Sequence, residues 1–146
     1  MKGASVSFFI LFVLMVNLQN TASKKYSLDE IKVALKPVRD ICIERVRVDP
    51  KMIDDANNGK FVPDRKLQCY YKCLFLMIKV MKNDKIVEQA LLNIANLMLT
   101  DDLVTPVVNA LNHCQSITLK PLDGCELAYE AVKCFRDYDN TLVLFP

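Results

Sequence analysis

Between Tyr70 and Met81 the chain reads YYKCLFLMIKVM, an apolar surface interrupted only by Lys72 and Lys79. A helix that is apolar nearly all round is a buried one, so this segment predicts the centre of the fold. Upstream, Ser27–Leu28–Asp29–Glu30 forms a capping box, in which the Ser27 and Glu30 side chains each satisfy an orphan N–H of the first turn. A helix is expected from there to about Arg47, bent at Pro37. Asp49–Pro50 is an N-cap with proline at the first helical position, opening a short helix that Asn58–Gly59 should end. Pro63–Asp64 opens the central helix, which the apolar run carries to Met81.

Asn83–Asp84 then predicts the cap of a fourth helix, whose Ile86, Val87, Ala90, Leu91, Ile94, Leu97 and Met98 follow helical spacing. A break at Thr100–Asp101–Asp102 leads to a fifth helix through Val107, Val108 and Leu111 to Cys114. After a loop from Pro121 to Gly124, a sixth runs from Cys125 to Arg136 with Leu127, Ala131, Val132 and Phe135 on one side. No segment alternates as a half-buried strand does, and no internal repeat is visible. The expectation is an all-α domain of six short helices.

The N-terminus is of another kind. Lys2 precedes an unbroken apolar run from Phe8 to Val16, and Thr21–Ala22–Ser23 supplies small residues for cleavage. That order describes a secretory signal peptide over residues 1–23, leaving residues 24–146 as the mature domain. The run is shorter than the roughly 20 apolar residues that span a bilayer. The expected product is secreted and extracellular, with no stable insertion in a membrane. At the other end, Leu142, Val143, Leu144 and Phe145 place four apolar residues in a row, which would either pack back on the body or meet another molecule.

Composition narrows the chemistry. The 19 Lys and Arg residues nearly balance 17 Asp and Glu, with no block of like charge. A nucleic-acid partner needs a concentrated basic surface and is not expected. The one histidine, His113, is followed by Cys, Gln and Ser and has no recognisable nucleophile motif beside it. No catalytic residue, metal site or cofactor is expected. Six cysteines, at 42, 69, 73, 114, 125 and 134, all lie in the mature part and read as three disulfides. Cys69 and Cys73 sit four apart on one helix face, too far apart to bond each other, and Cys125 and Cys134 lie nine apart along another helix. Those two exclusions leave ten of the 15 pairings open.

The gaps between successive cysteines are 26, 3, 40, 10 and 8 residues. With a signal peptide and six predicted helices, that series resembles the six-cysteine insect odorant-binding proteins, the pheromone and general odorant-binding family. The three-residue and eight-residue gaps are its tightest signatures, and the likeness covers essentially the whole mature chain. The resemblance implies first-to-third, second-to-fifth and fourth-to-sixth bonds: Cys42–Cys73, Cys69–Cys125 and Cys114–Cys134. It implies a compact six-helix shell stapled around an apolar cavity, and a non-catalytic carrier of small apolar molecules such as odorants, pheromones or other semiochemicals. A chemoreceptor or a second copy of the chain would be the further partner such a carrier could meet.

The wall of such a cavity would come from residues that the helical faces turn inward: Leu76, Met77, Val80, Met81, Leu91, Ile94, Met98, Val108, Leu111, Val132 and Phe135. Ordinary core packing uses the same residue types. Tyr70, Tyr71 and Tyr129 are the candidate hydrogen-bond donors to a ligand. By the same likeness, the tail from Leu142 to Phe145 would cover the pocket. Alcohol-binding members of the family it resembles often place small hydroxyl side chains just after the third cysteine; Leu74–Phe75–Leu76–Met77 offers none, so the resemblance implies an apolar ligand rather than an alcohol. The rival class, a saposin-like protein acting on lipid or membrane, has a much shorter first cysteine gap and a shorter chain.

Overall fold

The computed structural model describes residues 24–146. The predicted signal peptide lies outside the described residues. Six helices form the body: α1 (Leu28–Val46), α2 (Pro50–Asn57), α3 (Arg65–Met77), α4 (Glu88–Met98), α5 (Asp101–Thr118) and α6 (Gly124–Tyr138). A two-stranded antiparallel hairpin, β1 (Met81–Lys82) and β2 (Lys85–Ile86), stands between α3 and α4.

Helix starts follow their caps. Ser27 and Glu30 complete the capping box of α1. Asp49 accepts from the Lys51 N–H at the start of α2, and Asp64 from the Lys66 and Leu67 N–H groups of α3. Asp123 accepts from the Cys125 and Glu126 N–H groups of α6. Each cap satisfies donors that have no partner within the helix.

The stretch after α3 departs from expectation. The central helix stops at Met77, not Met81. Lys79 takes a left-handed conformation (φ 61°). The Lys79 N–H donates to the Leu76 carbonyl (3.1 Å) and the Val80 N–H to the Phe75 carbonyl (2.9 Å). That pair of bonds is a Schellman closure, built here on lysine where glycine is usual. Asn83 and Asp84, expected to cap a helix, form the hairpin turn instead, both at positive φ (52° and 57°). A two-residue turn with both φ positive matches the right-handed twist of paired strands, and Asn and Asp tolerate that conformation. The fourth helix therefore begins at Glu88, without a side-chain cap from Val87. The fifth continues past Cys114 to Thr118.

The turn is held to the helices around it. The Asp84 carboxylate pairs with Lys72 of α3 and also lies against Gly124, the first residue of α6. A Cβ at Gly124 would fall inside van der Waals contact of that carboxylate, so a larger residue there would push the Asp84 side chain aside and disturb its pairing with Lys72.

Three disulfides tie the helices: Cys42 of α1 to Cys73 of α3, Cys69 of α3 to Cys125 of α6, and Cys114 of α5 to Cys134 of α6. The main core joins Leu67, Tyr70, Tyr71, Leu74 and Phe75 of α3 with Leu127, Ala128 and Tyr129 of α6, and takes Ile53 and Ala56 from α2. A second cluster gathers Ala95, Leu99, Val107 and Ala110 with Leu142 of the tail. The C-terminal segment thus packs back on the body. Its Leu142 is buried in the second cluster, and its Phe145 rests on the main core with its ring 5.8 Å from that of Phe75.

Candidate functional site

Between α4, α5, α6 and the C-terminal tail lies a cavity of about 150 Å³. Its walls are chiefly apolar. Phe75 comes from α3, Ile86 from β2, Leu91 and Leu92 from α4, Leu111 from α5, and Ala131, Val132 and Phe135 from α6. Ala56 at the end of α2 and Phe61 in the following loop close one side. Leu142, Val143, Leu144 and Phe145 close another.

Sequence reasoning named several of these walls. Leu91, Leu111, Val132 and Phe135 line the cavity, and so does the whole tail from Leu142 to Phe145. The others are elsewhere. Leu76, Met77 and Met98 are exposed on the surface. Val80 and Met81 are buried in the main core, beyond the end of the helix at Met77, and do not line the cavity. Ile94 packs against the main core and Val108 against the second cluster.

The three tyrosines proposed as ligand donors do not line the cavity either. Tyr129 is buried between Phe61 (ring centroids 5.7 Å apart) and Tyr71 (6.4 Å). Tyr70 and Tyr71 are fully buried in α3, and burial pushes both phenols well above their ordinary pKa. The Tyr70 hydroxyl donates to a main-chain oxygen of Pro146, which ties down the end of the tail. These rings are structure around the cavity rather than its inner surface.

Residues missed from sequence fall into two groups. Ala56, Phe61, Phe75, Ile86, Leu92 and Ala131 are apolar, and only the packing of α2 and the hairpin against α6 selects them. Asn57, Glu88, Asn112, Gln115, Thr118 and Arg136 are polar and form the cavity's edges. Glu88 accepts from Thr118 Oγ1 (2.8 Å) and from Gln115 Nε2 (3.1 Å). Cys114, joined to Cys134, is part of the wall itself.

A separate shallow depression is lined by His113, Ile117, Glu130, Lys133, Cys134, Asp137 and Tyr138. The His113 ring lies 4.7 Å from that of Tyr138, with no nucleophile in the group. Among the described residues, no three His, Cys, Asp or Glu side chains converge to hold a metal ion. No described helix is long and apolar enough to cross a membrane.

An all-α shell, closed by three disulfides around an apolar cavity, defines the class of the molecule. The sequence model of the PBP/GOBP family matches residues 24–138, and the chain belongs to that family. It is 25% identical over 114 residues to general odorant-binding protein 19a of Drosophila melanogaster, covering 76% of this chain and 77% of that one. Its fold is similar to that of odorant binding protein 5 of Apis mellifera, with a TM-score of 0.76, 20% identity, and 84% and 99% of the two chains covered. It is also similar to odorant binding protein 7 of Anopheles gambiae, solved with four disulfide bridges and in complex with an azo compound. There the TM-score is 0.65 and the identity 28%, over 78% of this chain and 89% of that one.

Proposed function

We propose that this protein is a secreted, non-catalytic carrier that holds a small apolar molecule in the cavity between α4, α5, α6 and the tail. The observation that carries this reading is the cavity wall itself. Leu91, Leu111, Val132 and Phe135 meet the tail residues Leu142 to Phe145 around a space that no side chain fills. An empty apolar cavity destabilises a fold in proportion to its volume, at roughly 24 cal/mol per Å³. A guest removes that cost and gains about 0.8 kcal/mol for each CH₂ it buries. Micromolar affinity, about −8 kcal/mol, is within reach of such burial alone.

Size adds a role for the tail. A cavity of about 150 Å³ holds a guest of benzene size, whereas pockets for larger ligands run to about 300–1,000 Å³. The space is partly open to solvent, and a longer odorant or pheromone has to extend along Leu142–Phe145, which makes the tail the part of the wall that would serve as a lid. The azo compound in complex with the Anopheles relative supports a small organic guest in this fold. Residues 1–23 act in this reading as a signal peptide that delivers residues 24–146 to an extracellular fluid.

A competitive displacement assay tests the proposal. A neutral, fluorescent naphthylamine probe is expected to bind the mature protein at micromolar concentration and to be displaced by volatile apolar molecules of graded length. Failure of the probe and of every competitor to bind would overturn the carrier.

A further inference from the structure

Among the charged groups that line the cavity, Glu88 is satisfied by Thr118 and Gln115, and Arg136 is not. Arg136 stands in the last turn of α6, one residue beyond Phe135 and four beyond Val132, both wall residues. Two parts of its guanidinium are occupied. The Nε–H donates to the Asn57 carbonyl (3.2 Å), at the end of α2. The group also lies over Gly59, where a Cβ would stand 3.5 Å from Nη2, 3.7 Å from Cζ and 3.8 Å from Nη1. Near-equal distances to those three atoms place Gly59 against the guanidinium face.

The Nη1–Nη2 edge remains. Among the described residues it has no hydrogen-bond partner, and no carboxylate lies within 4.0 Å of Arg136. Arg136 is partly buried in the cavity's lining, and an apolar guest seated against it displaces water from the part of this edge that faces the cavity, which costs a charged group hydrogen bonds. A carboxylate removes the conflict, because its two oxygens match two parallel N–H groups of a planar fork.

Resting on the carrier reading, we infer that the ligand this cavity prefers is an apolar chain ending in a carboxylate, and that Arg136 is the residue that selects the head group. The chain lies along Leu91, Leu111, Val132 and Phe135, and the carboxylate meets the open Nη edge. An ester or a carbonyl of the same length offers one acceptor at a time and no charge. It binds more weakly.

The test compares a saturated fatty acid with its own methyl ester in displacing the naphthylamine probe, first on the native protein and then on Arg136→Met. The native protein is expected to bind the acid about tenfold tighter than the ester, the scale of a charge-assisted hydrogen bond. The acid-to-ester ratio is expected to fall to near one in Arg136→Met. Because the ratio is taken within each protein, a general loosening of the cavity moves both ligands together and leaves it unchanged. Should Arg136→Met not fold, Arg136→Lys serves instead, since a point charge without the fork should give an intermediate ratio. Equal binding of acid and ester by the native protein, or a ratio undiminished in the folded variant, overturns the assignment while the carrier stands. Absence of any probe binding overturns both.

Discussion

The Tyr70 hydroxyl donates to the main-chain oxygen of Pro146 over 3.3 Å, joining the middle of the central helix to the end of the tail. Tyr70 is fully buried, and Arg39 and Asp54, themselves paired at 3.3 Å, supply charge near its hydroxyl. The tail is therefore held at both ends, by Leu142 in the second cluster and by Pro146 on Tyr70.

Loosening the outer hold should free the lid without dissolving the fold. Tyr70→Phe removes the bond to Pro146, worth about 1 kcal/mol, and should speed release of a bound probe up to about fivefold. Deleting residues 141–146 also removes the buried Leu142, whose loss costs about 1.5–3 kcal/mol, so the melting temperature should fall as well. Stopped-flow dilution of the probe complex checks the first effect and thermal unfolding the second. Release rates unchanged in both variants would show that the tail is wall and not lid.

Tyr71, the next residue, makes the opposite case. Its hydroxyl is buried and has no hydrogen-bond partner among the described residues. Burying an unpaired hydroxyl costs about 1–3 kcal/mol, so Tyr71→Phe should leave the melting temperature unchanged or raise it. The two phenols also set an alkaline limit. Burial raises both pKa values in the folded protein, whereas in the unfolded chain they ionise near pH 10. The unfolded state then binds fewer protons than the folded one. Stability should be complete below about pH 10 and fall above it by about 1.4 kcal/mol per pH unit for each phenol. Denaturant titrations between about pH 8 and 11 should show this slope, and Tyr71→Phe should remove one phenol's share.

How legible this was in the sequence depends on the range of the forces involved. Three helix starts could be read because a cap is a local bond: Ser27, Asp49 and Asp64 each reach N–H groups within three residues. The end of α3 could not, because its closure uses Lys79 in a conformation that glycine usually marks, and Asn83–Asp84 suits a helix cap and a hairpin turn equally. The cavity was half legible for a similar reason. Leu91 and Ile94 share one inward face of α4, yet Leu91 borders the cavity and Ile94 does not. What separates them is where α6 and the tail lie, which periodicity does not carry. Arg136 was invisible because a charged residue at a helix end belongs by default in water.

Asp123 links capping to an ion pair, and the two roles separate by mutation. Its carboxylate accepts from Arg65 Nη1 (2.8 Å) as well as from the first N–H groups of α6. The Arg65 bond first, then those backbone bonds, hold its carboxyl below the usual carboxylate range. The stability it adds is therefore present above about pH 4 and lost as the pH falls further. Asp123→Ala should cost about 1 kcal/mol, the usual worth of an N-cap. Asp123→Asn keeps the cap, loses the charge pair on an exposed surface, and should cost less. Urea midpoints at neutral and acid pH check the order, and an alanine variant as stable as the asparagine one would deny the cap its role.

The disulfides should show stability and binding moving in opposite order. Cys69–Cys125 closes a separation of 56 residues and Cys114–Cys134 one of 20. In the chain-entropy account the longer loop contributes about 0.9 kcal/mol more, within totals of about 3–4 kcal/mol each. Replacing Cys69 and Cys125 by Ser should therefore lower the denaturation midpoint more than replacing Cys114 and Cys134. The cavity depends on the other bond. Cys114 is itself part of the wall, and its disulfide fixes α5, which carries Leu111, against α6, which carries Val132 and Phe135. Probe affinity should accordingly fall further when the shorter loop is opened, although that variant is the more stable of the two. If affinity instead tracks stability across both variants, the cavity is a property of overall compaction and the Cys114–Cys134 bond has no separate part in holding it open.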